Sequence, residues 1–291
     1  MSADTDVLAV TEPGVYAMPF DAYLADLVPG GSLSTSGAKT LLNKCPAIFA
    51  WEREHGRPDK AVFDFGHAAH SEILGDGMRI VVVDAEDWRT KAAREARDQA
   101  YAEGATPLLA KDYAHVQAMG AALRAHPIAG QLLDPDRGTP ESSLFWTDER
   151  TGVWRRARLD SLPHPGIGRM IIVDYKSTDS AKPADCARSI AKFDYAMQGD
   201  AQIEAVKRLG LAEDVAFLLI FQERTAPYLI SVVEPSASAL RIGHERNQRA
   251  VDLFKVCTER DEWPGYSDGV ELVDLPLWAE RSHEMEMELA S

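Results

Sequence analysis

The ten residues IIVDYKSTDS, 171–180, constrain this chain more than any other stretch. Ile171, Ile172 and Val173 are β-branched and apolar, the pattern of a strand buried on both faces. Side chains alternate along a strand, so Asp174 and Lys176 point one way and Tyr175 the other. A carboxylate and an amine at the end of a buried strand are costly unless each finds a partner. They are either a plain ion pair or they hold a third group between them.

The totals narrow the choice. With 291 residues, 45% of them hydrophobic and 26% charged, the chain has the make-up of an ordinary soluble protein. Its longest apolar run, Val215–Phe221, falls far short of a membrane span, and no basic-then-apolar leader opens it, so a cytoplasmic home without a membrane partner is expected. Cys45, Cys186 and Cys257 are scattered and form neither a disulfide framework nor a CxxC metal site, which suits a reducing compartment. A net charge of −15, taken alone, argues against a nucleic-acid coat protein, which would need a basic surface. It leaves open an enzyme with a local basic cleft around an acidic metal centre.

Residues 1–31 carry Pro and Gly punctuation and read as an irregular lead-in with one short helical stretch. A helical front over 32–130 follows. Ser34 or Ser36 caps its first helix, Pro46 interrupts and starts a second, and FDFGHAAHSEILG is a further helical segment closed by Gly75 and Gly77. The Ala-rich stretch 84–130 reads as two helices separated at Gly104–Pro107. The texture changes in the core, 139–291. Glu141–Trp146, Gly152–Asp160 and Arg169–Lys176 read as a three-stranded meander with turns at DERTG and PHPGIG. One helix over 185–209, strands at Val215–Glu223 and Tyr228–Val233, and a long helix over 236–262 complete a mixed α/β fold, a central sheet flanked by helices.

Other chemistry-bearing residues gather around Asp174 and Lys176. By alternation Arg156, Arg158 and Asp160 share one strand face, and an antiparallel return brings Asp160 toward Asp174 if the register permits. Glu141 begins the neighbouring strand. His70 lies on the GHAAH helix; His67, three residues before it, has no third ligand at a zinc spacing. Tyr195 and Gln198 share a helix face. Hard oxygen ligands from Asp160, Asp174 and Glu141 suit Mg²⁺ or Mn²⁺, and such a centre supports hydrolysis of a phosphodiester.

The order of these elements resembles the PD-(D/E)xK nuclease superfamily, and within it the exonuclease VIII-like branch of phage and prophage recombination systems. The pattern stands here as Ser34-Thr35-Ser36, Pro46 to Phe49, Gly66 to His70, Glu141, Gly152 to Asp160, Asp174 to Thr178, Tyr195 to Gln198, and Trp263 to Tyr266. The resemblance spans roughly 32–266, and Gln202 stands where relatives often carry Tyr. It implies one nuclease domain over 32–291 with a PD-(D/E)xK core. It implies metal ligation by Asp160 and Asp174, completed by Glu141 and His70, and catalytic parts for Lys176, Gln198 and Tyr195. It further implies Mg²⁺-dependent exonuclease action on double-stranded DNA ends with 5′-to-3′ polarity, a ring-like homo-oligomer and a single-strand annealing partner, in a bacterial or phage-infected cell. Relatives with an iron–sulfur cluster need four cysteines, more than this chain has.

A chain this acidic needs a local basic track to hold DNA. Arg156 and Arg158, on the face of Asp160, and Lys182, Arg188 and Lys192 beyond the Asp174 strand are the expected phosphate contacts. Two rival readings stay open on the same fold: an endonuclease of repair or restriction type, and a non-catalytic protein that binds DNA ends.

Overall fold

A computed structural model describes residues 9–56, 68, 70, 72–73 and 79–290. Gly66, His67, Gly75 and Gly77 of the expected GHAAH helix lie outside the described residues; Ala68, His70, Glu72 and Ile73 are helical.

The centre is a seven-stranded mixed sheet. Its order is β1 (Gly14–Tyr16), β5 (Gly138–Thr147), β6 (Trp154–Pro163), β7 (Met170–Thr178), β8 (Val215–Glu223), β9 (Ile230–Val233), with β2 (Leu33–Ser34) beside β6. β5, β6 and β7 form the expected antiparallel meander. The β5–β6 turn is set by Asp148, whose Oδ1 accepts from the Thr151 amide at 2.8 Å and its hydroxyl at 2.6 Å, and by Gly152 at φ 74°. β7 and β8 run parallel, Met170 beside Val215 through Thr178 beside Glu223. Parallel neighbours need a crossover, and α7 (Pro183–Lys192) with α8 (Tyr195–Arg208) supplies it. The single helix expected there is two, because Asp194 adopts a left-handed conformation at φ 52° between them.

One sheet face packs on the crossover through Leu159, Ile172, Phe217, Ala201, Ala205 and Val206. Gly199 sets the depth of that contact: a Cβ there would lie 2.4 Å from the Phe217 ring, so only glycine lets α8 sit this low on the sheet. The other face packs Val173, Tyr175 and Ile220 against Ile73, Leu123 and Ala129. Leu123 belongs to α5 (Ala110–Ala125), and Ala129 to the short α6 (Ala129–Leu132). A third cluster joins α2 (Thr35–Asn43), α3 (Pro46–His55) and the long α9 (Ala237–Arg260) through Leu41, Phe49, Val251 and Phe254. Ser34 caps α2 by accepting from the Gly37 amide at 3.1 Å. Trp263 stacks on Phe49 at 5.4 Å, so the WPGY stretch closes this cluster.

The front departs from an all-helical reading. β3 (Ile80–Val83) and β4 (Thr106–Leu109) pair in parallel as a separate two-stranded sheet, and α4 (Lys91–Ala102) crosses between them. Each strand has four residues and β4 contains Pro107, too little periodicity to separate it from a loop in the sequence. Among the described residues no helix is long and apolar enough to cross a membrane.

Candidate active site

β6 and β7 are registered through one pair, Ser161 with Val173, which puts Asp160 across from Asp174. Beyond that pair the strands part. The Asp160 side chain fills the gap: its Oδ2 accepts from the Tyr175 amide at 2.7 Å, where a regular ladder would offer a carbonyl. Both acids are buried, Asp160 at 8% exposure and Asp174 at 1%. On the α8 side, Gln198 donates to Asp174 Oδ1 at 2.5 Å. The other oxygen of Asp174 lies 2.5 Å from Lys176 Nζ, yet it takes no well-directed hydrogen bond. The Lys176 amine in turn sits 4.9 Å from the centre of the Tyr195 ring.

His70 joins the remaining acids. Its Nδ1 is 3.2 Å from Glu141 Oε1 and its Nε2 3.2 Å from Asp160 Oδ1. Glu141 reaches the site by a backbone distortion. On either side of it Pro140 pairs with Ser161 and Ser142 with Leu159, while Glu141 itself has φ 51°. A left-handed glutamate costs about 1–3 kcal/mol and persists only where its surroundings hold it. Arg158 provides that hold: it binds the other oxygen of Glu141 and is itself fixed by the Met18 carbonyl at 3.0 Å and Ser143 Oγ at 2.8 Å. Asp160, Asp174, Lys176, Glu141, His70, Gln198 and Tyr195 therefore form one connected set.

The charges split the two central acids. Burial works to raise the pKa of Asp160, but the charge and hydrogen bond of His70, the Lys176 charge and the Tyr175 amide outweigh it and hold the acid below its usual range. Burial and then the Asp160 charge push Asp174 up, against the pull of Lys176. Burial opposes the charge on His70, yet Asp160 and then Glu141 raise it to about 10. Lys176 is likewise raised: burial is overcome by Asp174 and Asp160, so its amine is a firmly protonated ammonium.

Among the described residues no three His, Cys, Asp or Glu side chains already converge as a metal cage; the acids are held by His70, Lys176 and Arg158 instead. The donor set nevertheless fits a hard divalent ion. It offers carboxylate oxygens and one imidazole, and Asp174 Oδ2 is buried without a hydrogen bond.

A family model described as a PDDEXK-like domain of unknown function, DUF3799, matches residues 34–276. The chain belongs to this family. The chain is also similar in fold to the crystal structure of a "Putative exonuclease" from Eubacterium rectale, with a TM-score of 0.60 and 14% identity over 90% of this chain and 96% of that one. No curated protein matches the chain. The architecture of this DUF3799 member, a central mixed sheet flanked by helices, is that of a PDDEXK-like nuclease fold.

The arginines read as phosphate contacts, Arg156 and Arg158, have protein partners. Arg156 is 9% exposed, 2.6 Å from Asp26 Oδ2, and donates to Ser32 O and Oγ at 2.9 and 2.7 Å. Arg158 is committed to Glu141, so it supports the site from behind. Arg156 does share a strand face with Arg158 and Asp160, but that face is covered by Asp26 of the lead-in and by Ser32. Lys182, Arg188 and Lys192 are exposed on and before α7, Arg188 being paired with Asp185. Gln202 is buried and donates to the Arg158 carbonyl at 3.3 Å, a packing contact on β6. One residue near the site carries no signal in the sequence: Lys39 of α2, whose amine lies 5.4 Å from the centre of the same Tyr195 ring.

Proposed function

We propose that this chain is a divalent-metal-dependent deoxyribonuclease, with Mg²⁺ as the expected ion and Mn²⁺ as a substitute, that degrades linear double-stranded DNA from its ends. The observation that carries this reading is the meeting of Asp160 and Asp174 across parted strands, with Lys176 two residues further along β7. Two buried acids facing each other repel unless a cation lies between them, and a lysine beside them suits an anionic substrate. Asp160 and Asp174 would hold the ion, with Glu141 and His70 completing or orienting the centre. Bound there, the ion supplies Lewis-acid polarisation of the phosphodiester and lowers the pKa of the attacking water.

The chain's own residues divide the remaining work. Lys176 is an ammonium, so in the resting site it donates hydrogen bonds and positive charge to the water or the scissile phosphate. Gln198 fixes one oxygen of Asp174, and the other, which faces the Lys176 amine at 2.5 Å, is the one a metal ion would share. The Tyr195 ring limits where the Lys176 amine can swing. Exonuclease action, 5′-to-3′ polarity, a ring-like oligomer and an annealing partner rest on the resemblance to exonuclease VIII-like proteins, and the name printed for the Eubacterium rectale neighbour agrees with the first of these.

End-labelled linear duplex and covalently closed circular DNA, each with Mg²⁺ or EDTA, test the proposal. Short labelled products from linear DNA in Mg²⁺ alone are expected. Cutting of the closed circle selects an endonuclease, and binding without hydrolysis under any divalent ion selects the end-binding protein.

A further inference from the structure

Lys39 is held in an unfavourable place. Its amine donates to the Phe193 carbonyl at 2.7 Å and lies over the Tyr195 ring at 5.4 Å, while Lys176 lies over that ring at 4.9 Å. Two ammonium groups thus share one phenol. Among the described residues no carboxylate lies within ion-pair distance of Lys39. The nearby Asp194 is taken by Asn43 at 2.7 Å and Arg246 at 3.2 Å, and Asp174 is taken by Lys176 and Gln198. Burial, followed by the Lys176 charge, lowers the pKa of Lys39 to about 8, against the opposing pull of Asp194 and Asp174. In a chain with 46 acids, an amine beside a second cation and without a carboxylate of its own suits an anionic partner. An ammonium has three donors, and the Phe193 carbonyl occupies one.

We infer that Lys39 binds a backbone phosphate of the DNA strand next to the one that is cleaved, and so sets the strand's register over Asp174 and Lys176. Three placements support this. α2 fixes the amine through the Phe193 carbonyl, at the turn between α7 and α8. The Tyr195 ring spaces it from Lys176, so the two cations address different groups along one strand. α2 itself is anchored by the packing of Leu41 in the cluster with α9, so the contact is built on rigid elements. Lys39 is a substrate-binding residue in this account: it touches the DNA away from the reacting atoms. The inference rests on the nuclease reading above.

The test uses the full-length protein and linear duplexes in which one linkage at a time is a neutral methylphosphonate. In the wild type, neutralising the linkage beside the scissile one is expected to lower kcat/KM roughly tenfold, the scale of a charge-assisted contact. Lys39→Gln keeps a donor for the Phe193 carbonyl and drops the charge; Lys39→Met drops both. Each is expected to raise KM more than it lowers kcat and to lose the methylphosphonate penalty at that one linkage. Lys39→Arg should restore the penalty. Binding in Ca²⁺ should show the log affinity against log salt slope flattened by about one unit in the Gln variant. The same penalty in wild type and Lys39→Gln, with an unchanged salt slope, overturns the inference. No hydrolysis of any duplex by the wild type is a different result, and it removes the nuclease reading itself.

Discussion

At Arg155, near the start of β6, a buried cation sits among acids; at Asp160, near its end, buried acids sit among cations. The Arg155 guanidinium is wholly buried, 3.4 Å from Glu204 and 3.4 Å from Asn247, and Asn247 donates to Asp200 at 2.8 Å. The ladder runs unbroken there, Trp146 pairing with Arg155. Burial pushes Asp200 and Glu204, both on α8, up, and their partners are Asn247 and His244 on α9 and Arg155 itself on β6. At Asp160 the ladder opens, a backbone amide turns to a carboxylate, and a neighbouring glutamate takes a left-handed backbone. The first cluster gathers acids around one cation, whose Nε is itself buried without a hydrogen bond. The second gathers carboxylates at its centre and leaves one oxygen of Asp174 without a hydrogen bond. Buried charge alone does not mark a site. The mark is buried charge whose geometry departs from the sheet that carries it.

The largest effect separates the two ends by activity. Asp160→Ala and Asp174→Ala should each lower DNA hydrolysis by roughly a thousandfold or more, and Lys176→Ala by a hundredfold or more without rescue by Lys176→Arg, whose guanidinium differs in shape. Single-turnover rates with matched circular dichroism check both. Unaltered rates in either aspartate variant would merge the two clusters into one structural class. In metal-free protein Asp174→Asn should not lower the melting temperature, because it removes a repelling acid.

Next comes stability. Arg155→Ala leaves Glu204 and Asp200 buried without their cation and should cost about 3–5 kcal/mol, with hydrolysis per folded molecule retained. Urea unfolding followed by activity at low denaturant measures both halves of that statement.

A smaller effect concerns pH. The folded pKa of His70, about 10, lies above its ordinary 6.5. Its contribution to stability is therefore fully present below about pH 6.5 and is lost as pH rises through about 10. In EDTA, the stability difference between wild type and His70→Gln should shrink across that window. A constant difference would place the imidazole outside the charged cluster.

The smallest effect is on the salt dependence of DNA binding. Arg156→Ala should leave the slope unchanged, because the guanidinium is committed to Asp26 and Ser32, whereas a phosphate contact would flatten it by about one unit. Salt-dependent binding in Ca²⁺ distinguishes them.

The readable part of this molecule is the part governed by short-range rules. Alternation put Arg156, Arg158 and Asp160 on one face, a short turn made β6 and β7 antiparallel, and together they bring Asp160 to Asp174. What stayed hidden is set by distant chain. Arg156 looks like a phosphate contact in the sequence because its neighbours, Asp26 and Ser32, lie more than a hundred residues away in and just after a lead-in with no periodicity. Lys39 looked like any helix surface lysine because its partner carbonyl is 154 residues away. The break at Asp194 carries neither Gly nor Pro, so nothing local announces it. The β3–β4 pair is too short to show a strand period.

The amide of Tyr175 has one further consequence. Most amides in a central sheet exchange with solvent deuterium only when strands separate, so they report the stability of the whole fold. This one is protected by the Asp160 carboxylate. Its exchange rate therefore tracks whether that single side chain stays in place, and it would change on loading of the acids while the amides of the rest of β7 held steady. Backbone exchange at one residue thus becomes a readout of occupancy, without substrate and without turnover.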